Sequence, residues 1–202
     1  MERIEMIFER FLAGFQTFFE WIYQMIRIKP NDESRMYTRI SEKLLNKGSI
    51  AKAINNLKKA VELDPGNIKA WISLGNAYLK NKTYEDAMVC FKRALAIDPN
   101  NPGVHSHLGF AYSKNGLYTE AAEHYNKSIE LNPNEHAVFY QLGLVYAGMK
   151  DYEKSISCYE KAIVLNPVVA KYYYSLGLAC DAQGTHGRAI ESFRKAMEVE
   201  EK

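Results

Sequence analysis

Apolar residues recur along the chain at spacings of three and four, and from residue 34 onward the pattern itself repeats every 34 residues. AWISLGNAYLKNKTYEDAMVCFKRALAIDPN at 70–100 and VFYQLGLVYAGMKDYEKSISCYEKAIVLNPV at 138–168 lie two such periods apart. Laid out at that period, the sequence gives five units without gaps, 34–67, 68–101, 102–135, 136–169 and 170–202. Within each unit the apolar spacing predicts a helix, a short turn and a second helix.

The recurring positions have mechanical reasons. The eighth position of the units is Ser41, Gly75, Gly109, Gly143 and Gly177, and the twentieth is Ala53, Ala87, Ala121, Ser155 and Ala189. A small residue therefore sits on each helix where the two backbones must approach, and a larger one would overpack the crossing. The seventh position (Ile40, Leu74, Leu108, Leu142, Leu176) and the twenty-fourth (Leu57, Phe91, Tyr125, Tyr159, Phe193) supply apolar fill between the helices. Pro65, Pro99, Pro133 and Pro167 close the first four units, because proline cannot continue a helix and biases its predecessor away from helical geometry.

Residues 1–33 follow a different pattern. On a helix, Glu2, Glu5, Glu9, Arg10, Gln16, Glu20 and Arg27 fall within an arc of roughly 160°, opposite Ile4, Phe8, Phe11, Phe15, Phe18, Phe19, Ile22, Met25 and Ile26. The stripe keeps its phase across Gly14, which predicts one long amphipathic helix. Its second half, IYQMIRIKPND at 22–32, also resembles the repeat ending FKRALAIDPNN at 91–101, so it reads equally as the last helix of a degenerate repeat. Three uses compete for this face: capping the first repeat, docking into the groove of another copy, and lying in a membrane interface. The acidic bias of its polar face opposes the third on anionic lipid. The fifth unit is followed by no further helix, which leaves its last apolar face as a second adhesive surface.

Composition narrows the classes. With 202 residues, 47% hydrophobic and 25% charged, the chain has the composition of a folded domain. A net charge of +2 without a dense Lys/Arg block argues against nucleic acid. Cys90, Cys158 and Cys180 are too few and too scattered for a disulfide framework or zinc site, which points to a reducing, cytoplasmic setting. Between Phe11 and Phe19 no charge occurs, but that run is about half of what a membrane span requires, and no small-residue cleavage site follows it, so the segment reads as retained. His105 and His107, two apart on a helix, point to nearly opposite sides and make no metal pair, placing His105 in the core and His107 on the inner face. No phosphate-binding loop, nucleophile elbow or paired-carboxylate arrangement appears, so neither enzymatic activity nor a cofactor is expected.

Trp71, Leu74, Gly75, Tyr78, Ala87, Phe91, Ala94 and Pro99 together resemble the tetratricopeptide repeat (TPR). The resemblance spans 34–202, with departures at His105 (for Trp), Cys180 (for Tyr) and Glu201 (for Pro). It implies an all-α solenoid, a right-handed superhelix of antiparallel helix pairs whose concave groove binds proteins or peptides without catalysis. It also implies that the first helix of each unit faces that groove. On this chain the groove would hold the basic residues Arg35, Arg39, Lys69, Lys80, Lys114 and Lys171, with Asn76, and the apolar residues Ile72, Leu79, Phe110, Tyr140, Leu144, Tyr174 and Leu178. Two specialised grooves of the family are not completed. The clamp for acidic C-terminal tails finds only Asn76, and an asparagine ladder would need Asn where Arg39, Ser73, His107, Gln141 and Ser175 stand.

The amphipathic leader, the junction Asn31, Asp32, Arg35 and the five consecutive repeats resemble the magnetosome-associated tetratricopeptide family. That resemblance implies self-assembly through the N-terminal region and groove, and peripheral coating of an intracellular membrane, the magnetosome membrane. The expectation is therefore a homo-oligomeric scaffold that associates through Phe8, Phe11, Phe15, Phe18, Phe19 and Ile22. The rival is a peripheral membrane adaptor whose N-terminal helix enters lipid while the groove recruits a soluble client.

Overall fold

A computed structural model describes residues 29–201. The expected amphipathic helix, with Phe8, Phe11, Phe15, Phe18, Phe19 and Ile22, lies outside the described residues. Ten helices make up the described part: α1 Pro30–Asn46, α2 Ile50–Leu63, α3 Ile68–Lys80, α4 Tyr84–Ile97, α5 Pro102–Lys114, α6 Tyr118–Leu131, α7 His136–Gly148, α8 Tyr152–Leu165, α9 Ala170–Ala182 and α10 His186–Glu200. They form five antiparallel pairs stacked in order, each second helix packing on the first helix of the next pair.

Local chemistry sets the helix ends. Asp64, Asp98, Asn132 and Asn166, each before a proline, are extended with φ between −147° and −132° and ψ near 91°. Asn67 and Asn101 then cap α3 and α5, their side-chain oxygens accepting from the Ala70 and Val104 amides at 3.1 Å. The turn inside each pair passes through a positive φ at one fixed place, occupied by Gly48, Lys82, Gly116, Lys150 and Gly184.

The core follows the repeat register. Ala53, Leu57, Phe91, Tyr125 and Tyr159 are buried within pairs, and Leu74, Leu108, Leu142 and Leu176 are buried between them. A Cβ on Gly75, Gly143 or Gly177 would come within 2.5–2.6 Å of the ring of Phe91, Tyr159 or Phe193, which is why these crossings hold glycine. Ser41 is tolerated at the same position because its partner is Leu57 rather than a ring, and its hydroxyl donates to the Tyr37 carbonyl at 2.8 Å.

Ile40 departs from the expectation. It shares the register of the four buried leucines yet is 41% exposed, and Met36, one turn earlier, is 44% exposed. Their counterparts are covered by the second helix of the preceding pair, and no described helix precedes α1. At the opposite end Ile190 and Met197 of α10 are 69% and 64% exposed, although Ile54, Met88, Ala122 and Ile156, in the register of Ile190, are buried.

The backbones of adjacent first helices approach one another along the stack (α1 and α3, α3 and α5, α5 and α7, α7 and α9), whereas those of no two described second helices do. The stack therefore curves with its first helices on the concave side.

Candidate partner-binding groove

The inner faces of α1, α3 and α5 enclose an open cleft of about 540 Å³, lined by Glu42, Leu45, Asn46, Ser73, Asn76, Leu79, Lys80, His107 and Phe110. Asn76, Lys80 and Phe110 are residues the repeat register predicted for the groove. Glu42 is not, and it changes the electrostatics, because its Oε1 lies 2.9 Å from the Lys69 Nζ and neutralises an expected cation. Its register position, shared with Asn76 and Phe110, was the signal available in the sequence. Arg35 is solvent-exposed with its guanidinium 3.6 Å from Asp32, and Arg39 is exposed on the same helix. Ile72 is half-buried against the core around Phe91 and Leu108.

Further along, α7 and α9 carry a second group. Tyr140 and Leu144 on α7 share register positions with Tyr174 and Leu178 on α9, and Leu144, Tyr174 and Leu178 are 39%, 54% and 50% exposed. Tyr140 is half-buried, its ring centroid 4.8 Å from that of Tyr172, with Lys171 Nζ 5.0 Å from the Tyr140 centroid. Lys114 stands in the same relation to Phe110 at 5.2 Å. Such contacts hold an ammonium against a ring face and leave both able to meet a ligand. The expected residues thus separate into a cleft with basic residues toward the N-terminal end and an open aromatic and aliphatic surface toward the C-terminal end.

His107 stacks on Phe91 with centroids 5.4 Å apart, and burial holds its imidazole below the ordinary range, so at neutral pH this wall of the cleft is uncharged. His105 is buried in the core. Its Nε2–H donates to the Pro99 carbonyl at 3.0 Å, the bond that Trp71 makes to the Pro65 carbonyl at 2.9 Å, so the imidazole replaces the indole function for function. That donation leaves Nδ1 of His105 to accept from Nδ1–H of His124 at 3.1 Å.

Among the described residues no three His, Cys, Asp or Glu gather as metal ligands. All three cysteines are free, and burial, with a smaller push from a nearby aspartate, raises the Cys90 thiol to about 12 and Cys158 to about 11, so neither is a ready nucleophile. No described helix is long and apolar enough to cross a membrane.

Tetratricopeptide repeat family models match residues 44–108, 103–135, 136–167 and 170–202. The chain belongs to the tetratricopeptide repeat family. Among solved structures, a MamA protein is similar to it at 32% identity with a TM-score of 0.78, over 85% of this chain and 93% of that one. The MamA 41-end form from Desulfovibrio magneticus RS-1 is similar at 28% identity and a TM-score of 0.80, over 84% of this chain and 96% of that one. YrrB, described as a TPR protein with an unusual peptide-binding site, shares the fold at 23% identity and a TM-score of 0.70, over 81% of this chain and 84% of its own. Among curated protein sequences none matches significantly. The TPR register accounts for both groups of groove residues, since all of them lie on the first helix of a pair.

Proposed function

We propose that this TPR protein is a non-enzymatic scaffold that binds proteins or peptides in its concave groove and assembles with copies of itself through residues 1–33, on the cytoplasmic surface of an intracellular membrane of the magnetosome type. The observation that carries the groove reading is the exposure of Leu144, Tyr174 and Leu178 on the concave side, in line with a cleft bearing Lys80 and Phe110. An apolar strip with cations at one end suits an amphipathic helix that carries acids beside its apolar face. The chain's own leader has that composition, since a helix would place Phe8, Phe11, Phe15, Phe18, Phe19 and Ile22 opposite Glu2, Glu5, Glu9 and Glu20. The similarity to MamA structures supports the scaffold and, through the family resemblance, the membrane setting.

The test is light-scattering mass on a sizing column for the full chain beside a 34–202 truncation. The expected result is a large full-length assembly and a folded monomeric truncation. Two monomers, with the truncation merely less stable, would reduce the Phe stripe to an intramolecular cap.

A further inference from the structure

The outer layer carries a cleft that the groove does not account for. Between the second helices α8 and α10, over α9, lies an open cavity of about 520 Å³ whose lining includes Ile163, Val164, Tyr173, Leu176, Glu160 and Arg188. The preceding junction, between α6 and α8 over α7, has a cavity at the same register positions, but of only about 220 Å³. One lining residue of the smaller cavity has no counterpart in the larger, the aromatic ring of Tyr146. Its register position is Tyr78, Tyr112 and Tyr146 in the second to fourth repeats and Cys180 in the fifth, where the thiol is fully buried and does not reach the cavity.

The cation above the ring has nevertheless been kept. Lys154 Nζ stands 5.4 Å from the Tyr146 centroid, and Arg188 occupies the Lys154 register position in the fifth repeat. Arg188 is ion-paired to Glu160 at the mouth of the cleft, whose lining keeps Tyr173 but has no ring at the Tyr146 register position. Val164, at the rim, is 81% exposed.

We propose that this outer cleft is a docking site for an aromatic side chain presented by a partner polypeptide, inserted beneath Arg188 where the second to fourth repeats hold a tyrosine of their own. The chain supplies the template for the occupant: at the neighbouring junction the same walls close on a phenol ring covered by a cation. A neutral aromatic ring complements the site because it fills the apolar floor and offers its π face to the guanidinium without disturbing the Glu160 pair. Lying on the second helices, the site is separate from the concave groove and does not depend on the groove's ligand, so one copy can engage partners on both faces.

The test titrates the tripeptide amide Gly-Tyr-Gly into the full chain and follows the methyl NMR signals of Ile163, Val164 and Leu176, with Gly-Ala-Gly amide and p-cresol as comparisons. Saturable shifts with the tyrosine peptide, none with the alanine peptide, and loss of binding in C180Y are expected. R188A, an exposed change that leaves the core intact, should weaken binding about two- to five-fold, the range of an exposed cation–π contact. Absence of saturable shifts, binding of p-cresol but not the peptide, or unchanged affinity in R188A would overturn the proposal, and the R188A result stands even if C180Y does not fold.

Discussion

Tyr125 shows how far one repeat position can vary before it costs stability. In the series Leu57, Phe91, Tyr125, Tyr159 and Phe193, each side chain fills the crossing opposite the eighth residue of its unit. The Tyr125 hydroxyl is buried without a hydrogen-bond partner among the described residues, and burial raises its ionisation well above the ordinary phenol range. A buried hydroxyl left unpaired costs about 1–3 kcal/mol. Y125F keeps the ring against Gly109 and removes the penalty, so the urea midpoint should rise by the equivalent of about 1 kcal/mol; an unchanged or lower midpoint would show that the hydroxyl is satisfied in solution. The register made the ring readable as core, but not the fate of its oxygen, because hydrogen-bond satisfaction depends on atoms from other helices. His105 illustrates the same limit. Its burial was legible from the Trp position it occupies, whereas its bond to Pro99 and its pairing with His124 required three-dimensional placement.

The element that the sequence pattern described least completely is the turn inside each helix pair. Gly48, Gly116 and Gly184 adopt φ of 76°, 80° and 87°, and Lys82 and Lys150 adopt 61° and 62° at the same place. In every pair the left-handed residue accompanies the same helix-closing backbone bond, from the amide that follows it to a carbonyl of the last turn (Ser49 to Leu44, Thr83 to Tyr78, Leu117 to Tyr112, Asp151 to Tyr146, Thr185 to Cys180), including the two pairs where a side chain opposes it. For a residue with a Cβ that conformation costs roughly 1–2 kcal/mol. Lys150 is exposed, so K150G should stabilise the fold by about 0.5–1 kcal/mol after the added freedom of the unfolded chain is counted. Paired denaturation curves for K150G and K150A separate the causes: both stabilising equally would mean the lysine side chain, not backbone strain, is responsible. Proline placement had marked the breaks between pairs well, since proline acts locally, while the internal turns became readable only once all five were superposed in register.

At the scale of the molecule, two histidines couple stability to pH. His107 is held below its ordinary value of 6.5 by burial, and His124 by burial first and then by His105 and Lys92. The unfolded chain therefore binds more protons than the folded one just below pH 6.5, and stability rises with pH through that window. It is fully present above the ordinary imidazole value and declines as pH falls from there toward the depressed values. Urea midpoints should be level from pH 8 to 7 and fall below about 6.5, with the fall diminished in a variant carrying both H107Q and H124Q. A midpoint that rises on acidification would contradict the assignment. The stack also exposes Met36 and Ile40 at one end and Ile190 at the other, positions that are core wherever a neighbouring pair is present. Such end effects are intrinsic to a chain of nearest-neighbour units.

What the sequence by itself determined is the repeating unit: its period, the helix pair and the small residues at the crossings. These are readable because they arise from local periodicity and from residue size at fixed spacing. Tertiary structure alone decided that Ile40 is exposed, that Glu42 neutralises Lys69, and that the groove residues divide into a cleft and an open aromatic surface. It alone showed that replacing one tyrosine with Cys180 goes with a larger cavity on the outer face. Each of these depends on what the neighbouring repeat places opposite a residue, and that information is not contained in the residue's own position in the repeat.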